Sequence, residues 1–121
     1  MYSFIISGNP ISKKNSHRAY RVGSRLFVAP SGEYRKWELS AVKQLKTQFQ
    51  DKTIIVPVNM SIRVYKKTAA RCDLINLLDG PADALQAAGI LENDCLIKRV
   101  DNCSLHIDRE NPRTEIIITL L

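Results

Sequence analysis

The sequence predicts a mixed α/β domain of the α+β class, with one β-sheet packed against two main helices. Segments rich in β-branched and aromatic residues occur near both ends of the chain and in its middle. Between them, two segments repeat apolar residues at three- and four-residue steps, which is the spacing of one helix face. The 121 residues, 45% of them hydrophobic, provide one core and leave no room for a second. We therefore expect residues 1–121 to form a single domain.

The N-terminal third predicts a strand followed by a hairpin. Tyr2–Ser7 is rich in β-forming residues and stops at the turn signal Gly8-Asn9-Pro10. Ala19–Val22 and Arg25–Ala29 flank Gly23-Ser24, which indicates a short hairpin. We expect the hairpin to hold Tyr20, Arg21 and Arg25 outward.

A first helix is predicted from Ser31 to about Phe49. Its apolar positions recur at helical spacing and mark one face directed at the core. Trp37 could stack on a nucleobase, but its position within this stripe favours the core. The stripe consists of Tyr34, Trp37, Glu38, Ala41, Val42, Leu45 and Phe49.

The remaining strands are predicted on both sides of an acidic stretch. Ile54–Val56 and Asn59–Lys67 are separated by Pro57, which argues against one uninterrupted strand. Later strands are expected at 96–100, 103–108 and 114–121, the last one buried. The expected order is β, hairpin, α, β, α, β, β, β, and one sheet face is left for a partner subunit.

The acidic stretch, Arg71 to Asp94, predicts the second helix. Asp73 suits the N-cap of a helix that begins at Leu74, and Gly89 suits its C-terminal stop. Gly80-Pro81 falls in the middle, where proline removes a helical hydrogen bond, so we expect a kink or a short break there.

Charge is distributed unevenly along the chain. The formal net charge is +6, and residues 1–32 contain five Lys or Arg and no acid. A basic segment of this kind suits contacts to a phosphate backbone. A solvated cationic loop that keeps the protein soluble explains the same residues equally well.

Other classes of protein are disfavoured by composition. No apolar run approaches the ~20 residues of a membrane span, and the N-terminus has no secretion-signal pattern. We expect an intracellular, cytoplasmic protein. Three cysteines without ligand spacing, Cys72, Cys95 and Cys103, indicate reduced thiols at packing positions.

Helix geometry limits which acids can share a cation. Asp73 and Asp83 would lie ~15 Å apart along a straight helix, too far for one ion. Asp79 and Asp83 are one turn apart, and Asp73 can meet Asp94 if the chain folds back after Gly89. Clustered carboxylates repel without a cation, which suggests Mg²⁺ and, in a basic protein, a nuclease. A helix cap, two solvated acids and a turn residue are the alternative.

The motif within this stretch resembles the RusA family of Holliday junction resolvases. Asp73-Leu74-x-Asn76-Leu77, Asp83-Ala84-Leu85, Ala88-Gly89 and Asn93-Asp94 follow the family pattern D-L-D-N-L…D-A-L…G…D-D. An early Gly-x-Pro loop with basic residues and Tyr34-Arg35-x-Trp37 agree with it. The resemblance implies a homodimeric, phage or prophage endonuclease that cuts four-way junction DNA with Mg²⁺ or Mn²⁺ and without an organic cofactor.

The resemblance also assigns individual residues. Asp73 and Asp94 match catalytic aspartates, while the second Asp of the family pattern falls on Ile75, and a lysine important in the family falls on Asp79. We hypothesise that Asp79, one turn beyond Ile75, replaces the missing carboxylate. The competing interpretation is a non-cleaving junction-binding protein on the same fold.

The predicted site residues form three sets. The catalytic set is Asp73, Asp94 and Asp79, and the metal ligands are these three with Asp83. His17 and His106 are expected to be non-catalytic. A nuclease of the PD-(D/E)xK type is disfavoured because no acid-x-Lys triplet follows Asp73 or Asp94. Lys98 could stabilise charge on the cleaved phosphate or be a solvated strand residue. The DNA-binding set is Lys13, Lys14, Arg18, Arg21, Arg25, Lys66, Lys67, Arg71 and Lys98.

Overall fold

A computed structural model of the chain confirms the α+β fold: one five-stranded mixed sheet and two main helices. It describes residues 1–13, 17–30 and 32–121, with the backbone alone for 17–21 and 26–30. The strands are β1 Tyr2–Ser7, β2 His17–Val22, β3 Arg25–Pro30, β4 Val58–Lys66, β5 Ile97–Val100, β6 Ser104–Ile107 and β7 Arg113–Leu120, and the helices are α1 Gly32–Gln48 and α2 Asp79–Ala87.

The sheet is built around β4 and β7. β7 lies between β1 and β4 and is antiparallel to both. The other edge of β4 is shared, because β5 pairs in parallel with its first half and β6 with its second half. The last strand of the sequence is therefore central in the sheet, as its isoleucine run suggested.

One face of the sheet forms the core with α1 and α2. Alternate residues of β4 and β7 are buried, as the period of two predicts. The stripe of α1 packs on them through Tyr34, Trp37, Ala41 and Leu45, all buried, so the expected core position of Trp37 is confirmed. The opposite face lines an open cleft of about 660 Å³ that includes Ile5, Arg63 and Ile117.

The second helix begins later than the sequence predicted. Asp73 is not its N-cap, because residues Ile75–Leu77 form a 3-10 turn and α2 starts at Asp79. Pro81 therefore lies in the first turn of α2, where the missing N–H leaves no hydrogen bond unmade. The predicted break is found, displaced to Leu78.

The end of α2 is as predicted. Gly89 adopts a positive φ of 77°, its N–H donates to Gln86 O, and the N–H of Ile90 donates to Leu85 O. These two bonds form a Schellman motif, in which glycine is favoured by its positive φ.

Two smaller expectations need correction. Residues 54–56 do not form a strand, since only Ile54 makes an isolated bridge, to Leu91. The three cysteines are free thiols, but Cys95 is exposed and does not serve as a packing residue.

The hairpin is confirmed as a separate two-stranded sheet. β2 and β3 pair antiparallel, with Val22 opposite Arg25 across Gly23-Ser24, and Gly23 has a positive φ of 63°. The expected helix start Ser31 and the side chain of Tyr20 lie outside the described residues. In the described part of the chain, no helix has the length and apolar character needed to cross a membrane.

Candidate nuclease site

Asp73 lies on the surface at the start of the 3-10 turn. Its backbone carbonyl accepts the N–H of Asn76 at 3.1 Å, and its carboxylate accepts the Asn76 side-chain amide at 3.3 Å. Two residues further on, Ile75 is 79% exposed. Because this side chain is not buried, packing in the core does not explain why an isoleucine occupies the position.

Asp94 lies at the other end of the helical segment. It begins a 3-10 turn capped by the Asn93 side chain, which accepts the N–H of Cys95 at 2.8 Å. The backbone N–H of Asp94 donates to Gln86 Oε1 at 2.8 Å. Asp94 is therefore held beside the last turn of α2, with its carboxylate exposed.

Along the chain, Asp73 precedes the 3-10 turn and α2, and Asp94 follows them. Among the residues that the structure describes, no three Asp, Glu, His or Cys side chains come close enough to hold a metal ion. The carboxylates of one described chain therefore do not fit a three-ligand metal centre.

Asp83 already has a cationic partner. Its Oδ2 lies 3.0 Å from Lys13 Nζ, and both side chains are about one-third exposed, at 33% and 38%. The hydrogen bond to Asp83 raises the pKa of Lys13, and the charges of Glu38 and Asp79 act in the same direction. One predicted metal ligand, Asp83, is thus paired with an ammonium group, and a second, Asp79, acts on that group electrostatically.

The predicted DNA-binding cations fall into different environments. Lys67 and Arg71 are exposed near Asp73 in sequence, and Lys98 is exposed on β5. Lys66 instead donates from Nζ to Pro10 O. Lys66 and Arg71 line a cavity of about 300 Å³ whose other side is Leu105 and Ile107.

Part of the predicted basic surface is not described. Lys14 lies outside the described residues, as do the side chains of His17, Arg18 and Arg21, and their roles stay predictions. Arg25 is exposed beside the hairpin turn. His106 stacks on Tyr65 with ring centroids 4.9 Å apart, and its ring nitrogen lies 2.7 Å from Ser104 Oγ.

Sequence reasoning missed two polar clusters. In the first, the Tyr34 hydroxyl donates to Glu38 at 3.3 Å, next to Asp83. An acid within an apolar helical stripe was the available signal for it. In the second, Arg113 donates to Asp108 and Glu115, each at 2.9 Å. Its guanidinium lies 3.8 Å from the Tyr65 ring centroid, joining β4 to β7.

The charges of the second cluster shift the pKa values of its own members. Arg113 holds the pKa of Asp108 below its ordinary value, and Glu115 followed by Asp108 raises the pKa of Arg113. Arg113 and Glu115, two residues apart on β7, were the available signal for this cluster, while Tyr65 comes from the distant strand β4.

The fold and these surfaces define a small basic α+β protein with exposed carboxylates at both ends of one helical segment. Comparison with known proteins gives the class: the family model "Endodeoxyribonuclease RusA" matches residues 7–119. The chain therefore belongs to the RusA endodeoxyribonuclease family. It is also 27% identical over 95 residues to a crossover junction endodeoxyribonuclease RusA of Aquifex aeolicus (strain VF5), covering 78% of this chain and 73% of that protein.

Proposed function

We propose that this chain acts as a homodimeric, metal-dependent endonuclease that cuts four-way DNA junctions symmetrically. The observation that carries the proposal is the family match over residues 7–119, which spans both Asp73 and Asp94. In this proposal residues 1–121 act as one endonuclease unit, and Mg²⁺ or Mn²⁺ is the ion.

The arrangement of the acids suggests how a dimer takes part. Among the described residues of one chain, no three Asp, Glu, His or Cys side chains come close enough to hold one ion, whereas a second copy could supply the missing ligands. In a dimer whose two copies of the segment 73–94 run antiparallel across the two-fold axis, the start of the segment in one copy lies next to its end in the partner. We therefore assign each metal site to Asp73 of one copy and Asp94 of the other.

The remaining roles follow from charge and exposure. Lys67, Arg71 and Arg25 are exposed cations suited to phosphate contacts, and Lys98 lies close to Asp94 in sequence. Asp79 supplies the carboxylate that Ile75 lacks. A divalent cation held by these oxygens would supply the charge that activates a water and stabilises the leaving oxygen.

A non-cleaving, junction-binding protein is the second candidate. It is favoured by Ile75, whose exposed aliphatic side chain occupies the position of a family aspartate and has no ligating atom. The basic surface would then bind the junction without cutting it.

One assay separates the candidates. The protein is incubated with a synthetic four-way junction or a linear duplex, with Mg²⁺, Mn²⁺ or EDTA. The first proposal predicts paired symmetric nicks on the junction only, lost in EDTA. Junction binding in Mg²⁺ or Mn²⁺ without nicks supports the second candidate, and equal binding to both DNAs argues against either.

A further inference from the structure

Lys13 was expected to contact DNA, but its ammonium faces the protein. Its Nζ lies 3.0 Å from Asp83 Oδ2, and Glu38 and Asp79 also raise its pKa. Asp83 of α2 therefore pairs with Lys13, and two further acids, one from each helix, act on it electrostatically. This neighbourhood competes with a phosphate for the same cation.

Tyr34 shares these acids. Its side chain is buried, at 1% exposure, and its hydroxyl donates to Glu38 at 3.3 Å. Burial raises the pKa of Tyr34 well above its ordinary value, and Glu38, Asp83 and Asp79 add to this effect. Lys13 precedes the segment 14–31 that contains the hairpin β2–β3, and Tyr34 follows it closely. Lys13 and Tyr34, on the two sides of that segment, thus line one pocket together with Glu38.

The loop before Lys13 is fixed at three further points. The N–H of Gly8 donates to Pro112 O at 3.0 Å, and Asn9 Oδ1 accepts the N–H of Lys67 at 2.9 Å. Pro10 O accepts Lys66 Nζ at 2.6 Å. With Lys13 bound to Asp83, the chain that enters the hairpin is anchored on the residue before β7, on the end of β4 and on α2.

We propose that Lys13 is a positioning residue, which holds the base of the hairpin on α2 through Asp83 and does not contact DNA phosphate. The expected effect on DNA affinity rests on the proposed function, whereas the anchoring of the hairpin does not. Because a partly exposed ion pair contributes little to global stability, its loss changes how the hairpin is held more than it changes unfolding.

The first test needs no DNA. Arg18, Arg21 and Arg25 are trypsin sites within the hairpin, so tryptic cleavage there reports how firmly its base is held. K13M and D83N are expected to raise the cleavage rate in the hairpin severalfold, with K13R and the exchanged pair K13D/D83K near the wild-type rate. K36M, which removes an exposed lysine of α1, is the matched control. Unchanged cleavage in K13M and D83N would overturn the proposal.

The second test measures junction affinity against salt. A phosphate contact predicts that K13M lowers the slope of log affinity against log salt by ~0.9, while D83N leaves binding equal or stronger. Anchoring predicts that K13M, D83N and K13M/D83N each weaken binding by the same factor, roughly tenfold, with an unchanged slope. If K13M lowers the salt slope and D83N binds the junction as well as the wild type does, Lys13 contacts phosphate and the anchoring proposal is wrong.

The two tests also separate this inference from the proposed function. A wild-type protein that binds no junction would remove the proposed function, whereas the proteolysis result would still decide the role of Lys13. If the wild-type protein binds the junction but K13M and D83N are cleaved at the wild-type rate, the proposed function stands and the role proposed for Lys13 is wrong.

Discussion

At the scale of single residues, the proposed site departs from the family pattern at two positions, Ile75 and Asp79. Ile75 is exposed, so core packing does not determine which residue occupies this position. The sequence hypothesis placed Asp79 one turn from it on a continuous helix. In the structure a 3-10 turn ends between them, and Asp79 also acts electrostatically on Lys13 and Tyr34. Whether Asp79 has taken over the role of the missing carboxylate is a question that single variants can answer.

If Asp79 does not replace the missing carboxylate, we predict that I75D increases metal-dependent junction cleavage by about tenfold or more, equivalent to ~1.4 kcal/mol of the barrier. An added carboxylate two residues from Asp73 supplies an oxygen ligand, while an exposed substitution leaves stability within ~0.5 kcal/mol. Initial nicking rates in Mg²⁺ measure the effect, with I75N as the uncharged control.

Equal rates for I75D and I75N would show that no ligand is missing at position 75. The relocation hypothesis has its own test, because D79N should then lose cleavage. D79N cutting the junction at the parental rate would exclude Asp79 as the replacement.

At the scale of elements, the packing of α2 on α1 depends on a small residue. Gly80, in the first turn of α2, is buried against the aromatic pair Tyr34 and Trp37, whose ring centroids lie 5.8 Å apart. A Cβ at Gly80 would lie 3.1 Å from Trp37 Cζ3 and 3.3 Å from the Tyr34 hydroxyl. The glycine that seemed in the sequence to interrupt a helix therefore allows its close approach.

We expect Gly80→Ala to destabilise the protein by about 1 kcal/mol, since overpacking costs ~1–3 kcal/mol and the gain in helix propensity offsets up to ~1 kcal/mol. Urea unfolding midpoints at constant slope give the change. Gly32→Ala is the control, because a Cβ there meets no atom within 4 Å in the described structure. A Gly80→Ala variant as stable as Gly32→Ala would show that the aromatic pair moves aside at little cost.

At the scale of the whole molecule, the described acids of one chain do not assemble a metal site. No three Asp, Glu, His or Cys side chains come together among the described residues. The open sheet face and the exposed ends of β5 and β6 leave surface for a second copy. The proposed dimer is therefore part of the chemistry, and its composition can be tested by mixing inactive chains.

We predict that D73N and D94N, each inactive alone, recover nicking when they are mixed and allowed to exchange subunits. If each site uses Asp73 of one copy and Asp94 of the other, a mixed dimer contains one intact site. Random exchange of subunits makes about half of the dimers mixed, and each mixed dimer has one intact site of two. About a quarter of wild-type nicking is therefore expected. Conversion of a cruciform plasmid to the nicked rather than the linear form measures it.

Light scattering of the mixture provides the control that dimers are present. A dimeric mixture that stays as inactive as its components would mean that each site lies within one chain.

The sequence by itself determined the elements and the family motif. Periodicity found α1 and β4 because a buried stripe repeats with the geometry of its own element, and a run of isoleucines indicated β7. Gly89 indicated the end of α2, where it has a positive φ. Only the tertiary structure decided the start of α2 and the partner of Lys13. These depend on contacts between residues far apart in the chain, such as Lys13 with Asp83, and no local pattern of residues encodes such contacts.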